Sequence, residues 1–326
     1  MPKILTIFLF LTLTMGGAVY GQTAEKTVTI GYFLTLTHAQ ALIAQNMSAT
    51  GQGWFEKYLP KNVHLAWQNF NAGPAAMNSL LGGVVDMTYA GPNPVVDAFI
   101  RSRGGVVAVS GAVRGGAALV APEGSLLATP ADFKGKRIAT PQMGNTQDVA
   151  CRNWLIKGGL KVTPTGGEVD IIPVPYFNLL SLISKGAVDG AWVVEPWVSR
   201  LELETGARVI YSVPIKECLT SFLAARESFI RIEPEIAAAL IEAHRDLTDW
   251  IIAHPEEAKK RLVDELTRQT RHQFPPEVVE RAWPRLLFDT HLATAEFAGY
   301  LEAAREAGFL RASHDLTGLV REKIGQ

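Results

Sequence analysis

Val85–Arg101 reads VDMTYAGPNPVVDAFIR, which is a strand, a sharp turn and the start of a helix. Val85, Met87 and Tyr89 alternate with Asp86 and Thr88, the period of a strand. Gly91-Pro92-Asn93-Pro94 then breaks the pattern, and a helix runs over Pro94–Arg101. The same unit occurs twice upstream. Thr27–Tyr32 (TVTIGY) is a strand with Val28 and Ile30 on one face, followed by a helix from His38 to about Ala49. Val63–Phe70 (VHLAWQNF) alternates cleanly, and Gly73-Pro74 opens a helix through Leu81 with proline at a favoured first-turn position. Val106–Gly111 supplies a fourth strand. Strands separated by helices of this length predict a parallel sheet with helical crossovers.

A second series of the same kind follows. Ala117–Ala121, Arg137–Thr140, Val169–Val174, Ala191–Val194 and Arg208–Ser212 read as strands. Asn145–Lys157, Asn178–Lys185 and Trp197–Glu204 read as helices between them. Leu219–Ala224 has β character, and from Glu235 onward the pattern is almost all helical, broken at Pro255, Pro275-Pro276, Pro284 and Gly308. The fold class expected is therefore α/β with two lobes of similar plan. One lobe takes residues 23–112 plus 218–326, with the C-terminal helices, and the other takes 113–217. The chain would cross between lobes near Gly111 and again near Pro214–Cys218. Two such crossings make a hinge with a ligand cleft between the lobes.

The N-terminus places this fold in a compartment. Met1-Pro2-Lys3 is a short positive start, Ile4–Met15 is apolar apart from threonines, and small residues follow at Gly16, Gly17 and Ala18 before Val19-Tyr20-Gly21. This is the pattern of a secretory signal peptide cleaved near residue 22. The run is short of the roughly 20 apolar residues of a membrane span, so cleavage is favoured over an uncleaved anchor. The mature chain is then expected outside the cytoplasm, periplasmic or otherwise extracytoplasmic. The whole chain carries a formal charge of −1, and no basic run or stripe suggests a nucleic-acid partner. Hydrophobic content of 48% is ample for packed cores. Cys151 and Cys218 are the two cysteines. An oxidising compartment permits a bridge between them; two separate buried thiols are the other reading, since sequence does not fix their distance. No Cys-x-x-Cys and no His/Cys cluster with metal spacing occurs, and no cofactor or metal is expected.

In open parallel sheets, ligands bind beyond the carboxyl ends of the strands, where helices begin. The residues at those junctions include Tyr32 to His38, Asn71-Ala72-Gly73, Ala90 to Pro94, Pro141 to Asp148, Pro175-Tyr176-Phe177 and Glu195-Pro196-Trp197. They are rich in Gly, Asn, Thr and Pro, which start helices and leave backbone N–H groups unpaired. Helix N-termini favour negative charge, so several facing one cleft would hold a small oxyanion. Asn71, Gln142 and the Ser/Thr hydroxyls would complete the shell, and Tyr32, Tyr176 or Trp197 could pack on an apolar tail. Each junction taken singly also has an ordinary reading as a helix cap. Trp197 serves equally as interlobe packing, and Glu195 could meet a cationic group or pair with an arginine such as Arg200.

At these junctions the chain resembles the substrate-binding components of ABC importers for sulfonates, nitrate and taurine, which share a fold with thiamine-precursor binding proteins. The residues that carry the resemblance are Ile30-Gly31-Tyr32 through Thr37-His38-Ala39, Gly82-Gly83-Val84-Val85-Asp86-Met87, Gly91-Pro92-Asn93-Pro94, Gly144-Asn145-Thr146-Gln147-Asp148 and Glu195-Pro196-Trp197. The resemblance implies a type II periplasmic-binding fold, a small-molecule anion as ligand, an ABC permease in the cytoplasmic membrane as partner, and a monomer. Carried onto this chain, it implies ligand contacts from Thr35, Thr37, His38, Gly91, Asn93, Asn145, Thr146 and Glu195. Leu34 and Leu36 make the first loop more apolar than the Pro-Asn-rich versions of the family, which points toward a larger or more apolar ligand. His38 stands at a helix start, where the dipole disfavours positive charge, so a neutral role is expected of it.

Two other classes bear on the reading. A pyrimidine-precursor synthase of related fold uses a histidine in the corresponding loop together with a cysteine-rich motif, and this chain has His38 but no cysteine cluster. It also has no Gly-x-Ser-x-Gly elbow, phosphate-binding loop or His-Glu-x-x-His, so no enzymatic activity is expected. A periplasmic sensor that presents ligand for signalling, or a pyrimidine-binding receptor, remains the alternative within the same fold.

Overall fold

The computed structural model describes residues 24–321; the leader read at residues 1–22 lies outside the described residues. The chain begins with β1 (Lys26–Tyr32), α1 (Ala39–Ala49), β2 (Val63–Asn69), α2 (Gly73–Leu81), β3 (Met87–Ala90), α3 (Pro92–Ser102) and β4 (Val106–Gly115). It continues with β5 (Ala117–Ala121), β6 (Arg137–Thr140), α4 (Thr146–Lys157), the small hairpin of β7 (Val162–Thr163) and β8 (Gly166–Gly167), β9 (Asp170–Pro173), α5 (Leu179–Ser184), β10 (Gly190–Val194), α6 (Trp197–Thr205) and β11 (Arg208–Tyr211). It ends with β12 (Leu219–Arg226), α7 (Glu227–Ile232), α8 (Pro234–Ala253), α9 (Pro255–Thr270), α10 (Pro276–Ala282), β13 (Leu286–Phe288) and α11 (Ala298–Glu306). No helix among the described residues is long and apolar enough to cross a membrane.

Two sheets organise two lobes. The first has the order β13-β4-β12-β3-β1-β2 and the second β11-β5-β10-β6-β9. Within them β1 runs parallel to β2 and β3, and β6 runs parallel to β9 and β10. These are the strands of the crossover units, as the strand–helix alternation predicts. The sheets are nevertheless mixed. β12 lies antiparallel between β3 and β4, and β5 is antiparallel to both β10 and β11. The antiparallel members are those that carry the chain into or out of the second lobe, and they enter each sheet without a helical crossover. The short β13 on the edge of the first sheet replaces part of the helical tail expected there. A three-residue strand just after Pro284 has too few positions to show a period.

Sheet position explains the burial patterns. β4 and β3 are buried along their whole length, as central strands covered on both faces should be. β2, at the edge, keeps six of its seven residues partly or fully exposed. In β10, Ala191 and Val193 face the core against α5 and α6, while Trp192 faces the opposite core with Phe133 and Leu155. The first sheet is likewise clad on both sides. One core joins it to α1, α8, α9 and α10, and the other to α2, α3 and α11.

The first crossing lies at Gly115–Gly116, beyond the expected Gly111, because β4 continues its pairing with β12 and β13 to Gly115. Both glycines have φ near +70°, a region that favours glycine. A Cβ on Gly115 would also sit 2.4 Å from the Arg285 carbonyl oxygen. The return runs between Tyr211 and Leu219, and Gly115 N–H donates to Cys218 O at 2.7 Å, tying the two crossings together. Past this hinge, the C-terminal segment reaches back over lobe II, with α10 against α6 and α11 against α4. Arg114, at the end of β4, fastens that segment through Asp289 and Glu296 at 2.8 and 2.6 Å.

The bridge that an oxidising compartment would permit is not formed: Cys151 and Cys218 are both free. Cys151 is wholly buried in the lobe II core beside Phe133 and Leu155. Cys218 sits in the return crossing with its Sγ 3.5 Å from Thr220 Oγ1. Burial pushes both thiols above their ordinary range, which suppresses the reactive thiolate. Thiol titration is expected to count two thiols after denaturation without reductant, and to react far more slowly in the native protein. A count of zero would show that the bridge exists.

Candidate functional site

The carboxyl ends of the parallel strands of the two lobes face each other. Between them lies a small central space lined by Phe33, Thr37, His38, Asn71, Gly91 and Pro94 from lobe I, by Asn145, Thr146, Gln147, Tyr176 and Val194 from lobe II, and by Thr220 at the start of β12. Its volume is about 20 Å³, room for a single water-sized group. The lobes touch around it. Leu36 N–H donates to Glu195 O at 2.9 Å, and Asn93 N–H reaches Thr146 Oγ1 at 3.4 Å. Gly91 is what allows that approach, since a Cβ there would lie 2.5 Å from Thr146 Oγ1. Any solute larger than a water must therefore enter with the lobes apart.

The sequence-predicted residues fall into three groups. His38, Thr37, Asn71, Gly91, Asn145, Thr146 and Tyr176 meet at the central space. His38 is buried, stacks on Phe33 with ring centroids 4.3 Å apart, and accepts the Phe33 N–H on Nδ1 at 3.0 Å. Burial pushes its pKa down to about 3, so the ring is neutral and carries its proton on Nε2. Burial, rather than the helix-start dipole, is the cause of that neutrality. Thr35 and Thr37 share a hydroxyl contact of 3.0 Å.

A second group serves structure. Asn145 caps α4, its Oδ1 accepting Asp148 N–H at 2.8 Å while Nδ2 donates to Gln147 Oε1. Asn93 spends Nδ2 on Tyr300 O at 2.9 Å. The ordinary capping reading thus accounts for Asn145, while Asn93 ties α3 to α11. The turn before α4 is held by buried Asp148, which accepts from Thr140 Oγ1, Gly144 N–H and Arg152.

A third group does not face the central space. Tyr32 points into the lobe I core, its hydroxyl donating to Gln269 Oε1 at 2.6 Å. Strand alternation sends Tyr32 one way and Phe33 the other, and Phe33 is the residue at the cleft. Gln142 is half-buried outside the lining and accepts Asn145 N–H on its backbone oxygen. Glu195 is fully buried, and its carboxylate is consumed by Ser199 N–H and Oγ and by Arg285 Nη1 at 2.9 Å. Arg285 also holds Glu202. The arginine partner is thus Arg285 from the C-terminal segment, whereas Arg200 pairs with Glu204. Burial raises the Glu195 pKa, and Arg285 pulls it back.

Gln147 and Thr220 also line the central space. Gln147 stood inside a quoted junction. Thr220 lies on an antiparallel strand, where a rule that reads only the ends of parallel strands finds nothing.

Two larger cavities open from the central space. One, of about 550 Å³, shares Phe33, Asn71 and Tyr176 with it and also takes in Thr35, Trp197, Arg200, His272 and Phe274. The other, of about 320 Å³, lies between α4 and α11, shares Thr146, Gln147 and Thr220, and includes Lys157, Glu217 and Glu296. Among the described residues no Asp or Glu lines the central space or the 550 Å³ cavity. The N-termini of α2, α3 and α4 end there instead, so the inner surface favours negative charge.

Residues 21–265 match the NMT1-like family. The chain belongs to the NMT1-like family. A curated relative of this NMT1-like chain is the taurine-binding periplasmic protein of Escherichia coli (strain K12), 25% identical over 242 residues, covering 72% of this chain and 69% of that one. Among solved structures, the alkanesulfonate-binding protein of Xanthomonas axonopodis pv. citri bound to MOPS has a TM-score of 0.75 at 20% identity, over 92% of this chain and 100% of that one. The periplasmic nitrate-binding protein of Synechocystis PCC 6803 has a TM-score of 0.72 at 16% identity, over 92% of this chain and 87% of that one. At these identities the structural likeness establishes the two-lobed binding-protein fold of this NMT1-like chain.

Proposed function

We propose that this chain is the extracytoplasmic solute-binding protein of an ABC importer, capturing a small anion such as an aliphatic sulfonate, nitrate or a related organic anion and delivering it to a membrane permease. The observation that carries the reading is the interlobe space. The N-termini of α2, α3 and α4, the neutral His38 and the hydroxyls of Thr37 and Thr146 converge there, with no carboxylate in the lining among the described residues. Such a surface holds an oxyanion with hydrogen-bond donors and dipoles and needs no formal cation. The relatives described above, whose names record taurine, alkanesulfonate and nitrate binding, support the same ligand class. A lining of hydroxyls, amides and a neutral imidazole fits capture and release.

A ligand that binds only the native state stabilises it, by about 2.7 kcal/mol at a hundred times its Kd. Millimolar sulfonates or nitrate are therefore expected to raise the thermal midpoint of the mature protein by several degrees. Mass spectrometry of material released on denaturation would name a co-purified solute directly. A broad anion panel without any shift, together with release of a neutral or cationic solute, would overturn the anion reading.

A further inference from the structure

We infer that the solute is an aryl oxyanion, an aromatic carboxylate or sulfonate whose charged end occupies the central space and whose ring lies in the 550 Å³ cavity. The inference rests on the anion-receptor reading above and adds the substrate class to it. Size is the first argument. The cavity is of the scale that holds whole organic ligands, and it is continuous with the central space through Phe33, Asn71 and Tyr176. A one- or two-carbon sulfonate would leave nearly all of it to water.

The walls are the second argument. Phe33 and Phe70 come from lobe I, Phe274 from the turn after α9, and Tyr176, Phe177 and Trp197 from lobe II. Tyr176 and Trp197 stack with centroids 5.6 Å apart and planes 6° from parallel, which makes a flat wall. Both rings belong to lobe II, so the stack is not a device for joining the lobes. Planar walls of this kind prefer a planar guest, offset or edge-on. Phe177 stands at the mouth 73% exposed, an arrangement without benefit to packing.

Polar detail fixes the sign and the orientation. Arg200 lies 4.7 Å over the Trp197 ring at the cavity wall, its guanidinium paired with Glu204. The alternative cavity between α4 and α11 carries Glu217, Lys157 and Glu296, the last paired with Arg114, whereas among the described residues no carboxylate lines the 550 Å³ cavity. The ring therefore extends from the central space toward Trp197.

Isothermal titration of the mature chain with naphthalene-2-sulfonate, benzoate, methanesulfonate and nitrate tests the inference, with Phe177→Ala as the variant. Phe177 is exposed, so its loss leaves the fold intact. The aryl anions are expected to bind about tenfold or more tighter than methanesulfonate. Phe177→Ala is expected to weaken naphthalene-2-sulfonate by about tenfold and methanesulfonate by no more than about twofold. Methanesulfonate or nitrate binding as tightly as the aryl anions, with Phe177→Ala affecting all alike, would overturn the aryl class and leave the anion receptor standing. Binding of no member of the set would overturn both.

Discussion

Arg285→Met is expected to destabilise the protein by about 3–5 kcal/mol at neutral pH, the penalty for a buried charge left without its partner. Glu195 has no solvent exposure, and Arg285 Nη1 sits 2.9 Å from its Oε1. The Ser199 donors remain in the variant but carry no charge. The pH dependence has a definite sign. Burial holds the folded Glu195 pKa above its ordinary value, so the protonated form is the one the fold favours. Stability from this group is present below the ordinary carboxylate range and is lost as pH rises through the raised pKa. Without Arg285 that pKa climbs further, so the deficit of the variant should be largest near neutrality and shrink on acidification. Urea denaturation at neutral and mildly acidic pH reads both effects, and the double variant Glu195→Gln/Arg285→Met should recover the part of the loss that comes from Glu195, the rest reflecting Glu202, which Arg285 also pairs. An equal deficit at both pH values would show that the lost ion pair is not the cause.

Gly91→Ala is expected to weaken solute binding by roughly ten- to hundredfold, the scale of overpacking a close contact, while leaving lobe I folded. Gly91 has φ −89° and ψ 168°, a backbone that alanine adopts freely. Its glycine identity is needed only when Thr146 of lobe II comes up against it. The new Cβ would meet Thr146 Oγ1 at 2.5 Å and Thr220 O at 3.2 Å. The variant should therefore favour separated lobes, with a larger radius of gyration in solution scattering at saturating ligand. Thr146→Ala removes the nearest atom, so the two substitutions should couple: Gly91→Ala should cost less in the Thr146→Ala background than alone. Simple additivity of the two effects on Kd would rule out the steric block.

Much of the fold is legible because its signal is local. Val28, Ile30 and Tyr32 of β1, and Gly73-Pro74 at the head of α2, declare a strand and a helix without help from the rest of the chain. Strand direction is not local. Nothing in Leu219–Arg226 itself says that it inserts antiparallel between β3 and β4, so only its β character is legible there. The cleft divides the same way. Junction chemistry brings His38, Asn71, Gly91, Thr146 and Tyr176 to one space because strand ends on a common sheet edge must meet. Glu195 defeats the rule because its partner, Arg285, is 90 residues away in sequence. Tyr32 defeats it because a side chain's direction alternates at each residue, and the cleft takes Phe33 instead.

The central place of β12 bears on the order in which the molecule can assemble. A chain made from its N-terminus onward has every strand of the second sheet once Tyr211 exists. The first sheet is then still in two parts, with β3 and β4 separated by the width of a missing strand. Thr220 reaches back 105 residues to the Gly115 carbonyl to close it, and contacts across so long a loop form slowly. Lobe II can thus mature early and lobe I late, which keeps the cleft from forming until nearly the whole chain is present.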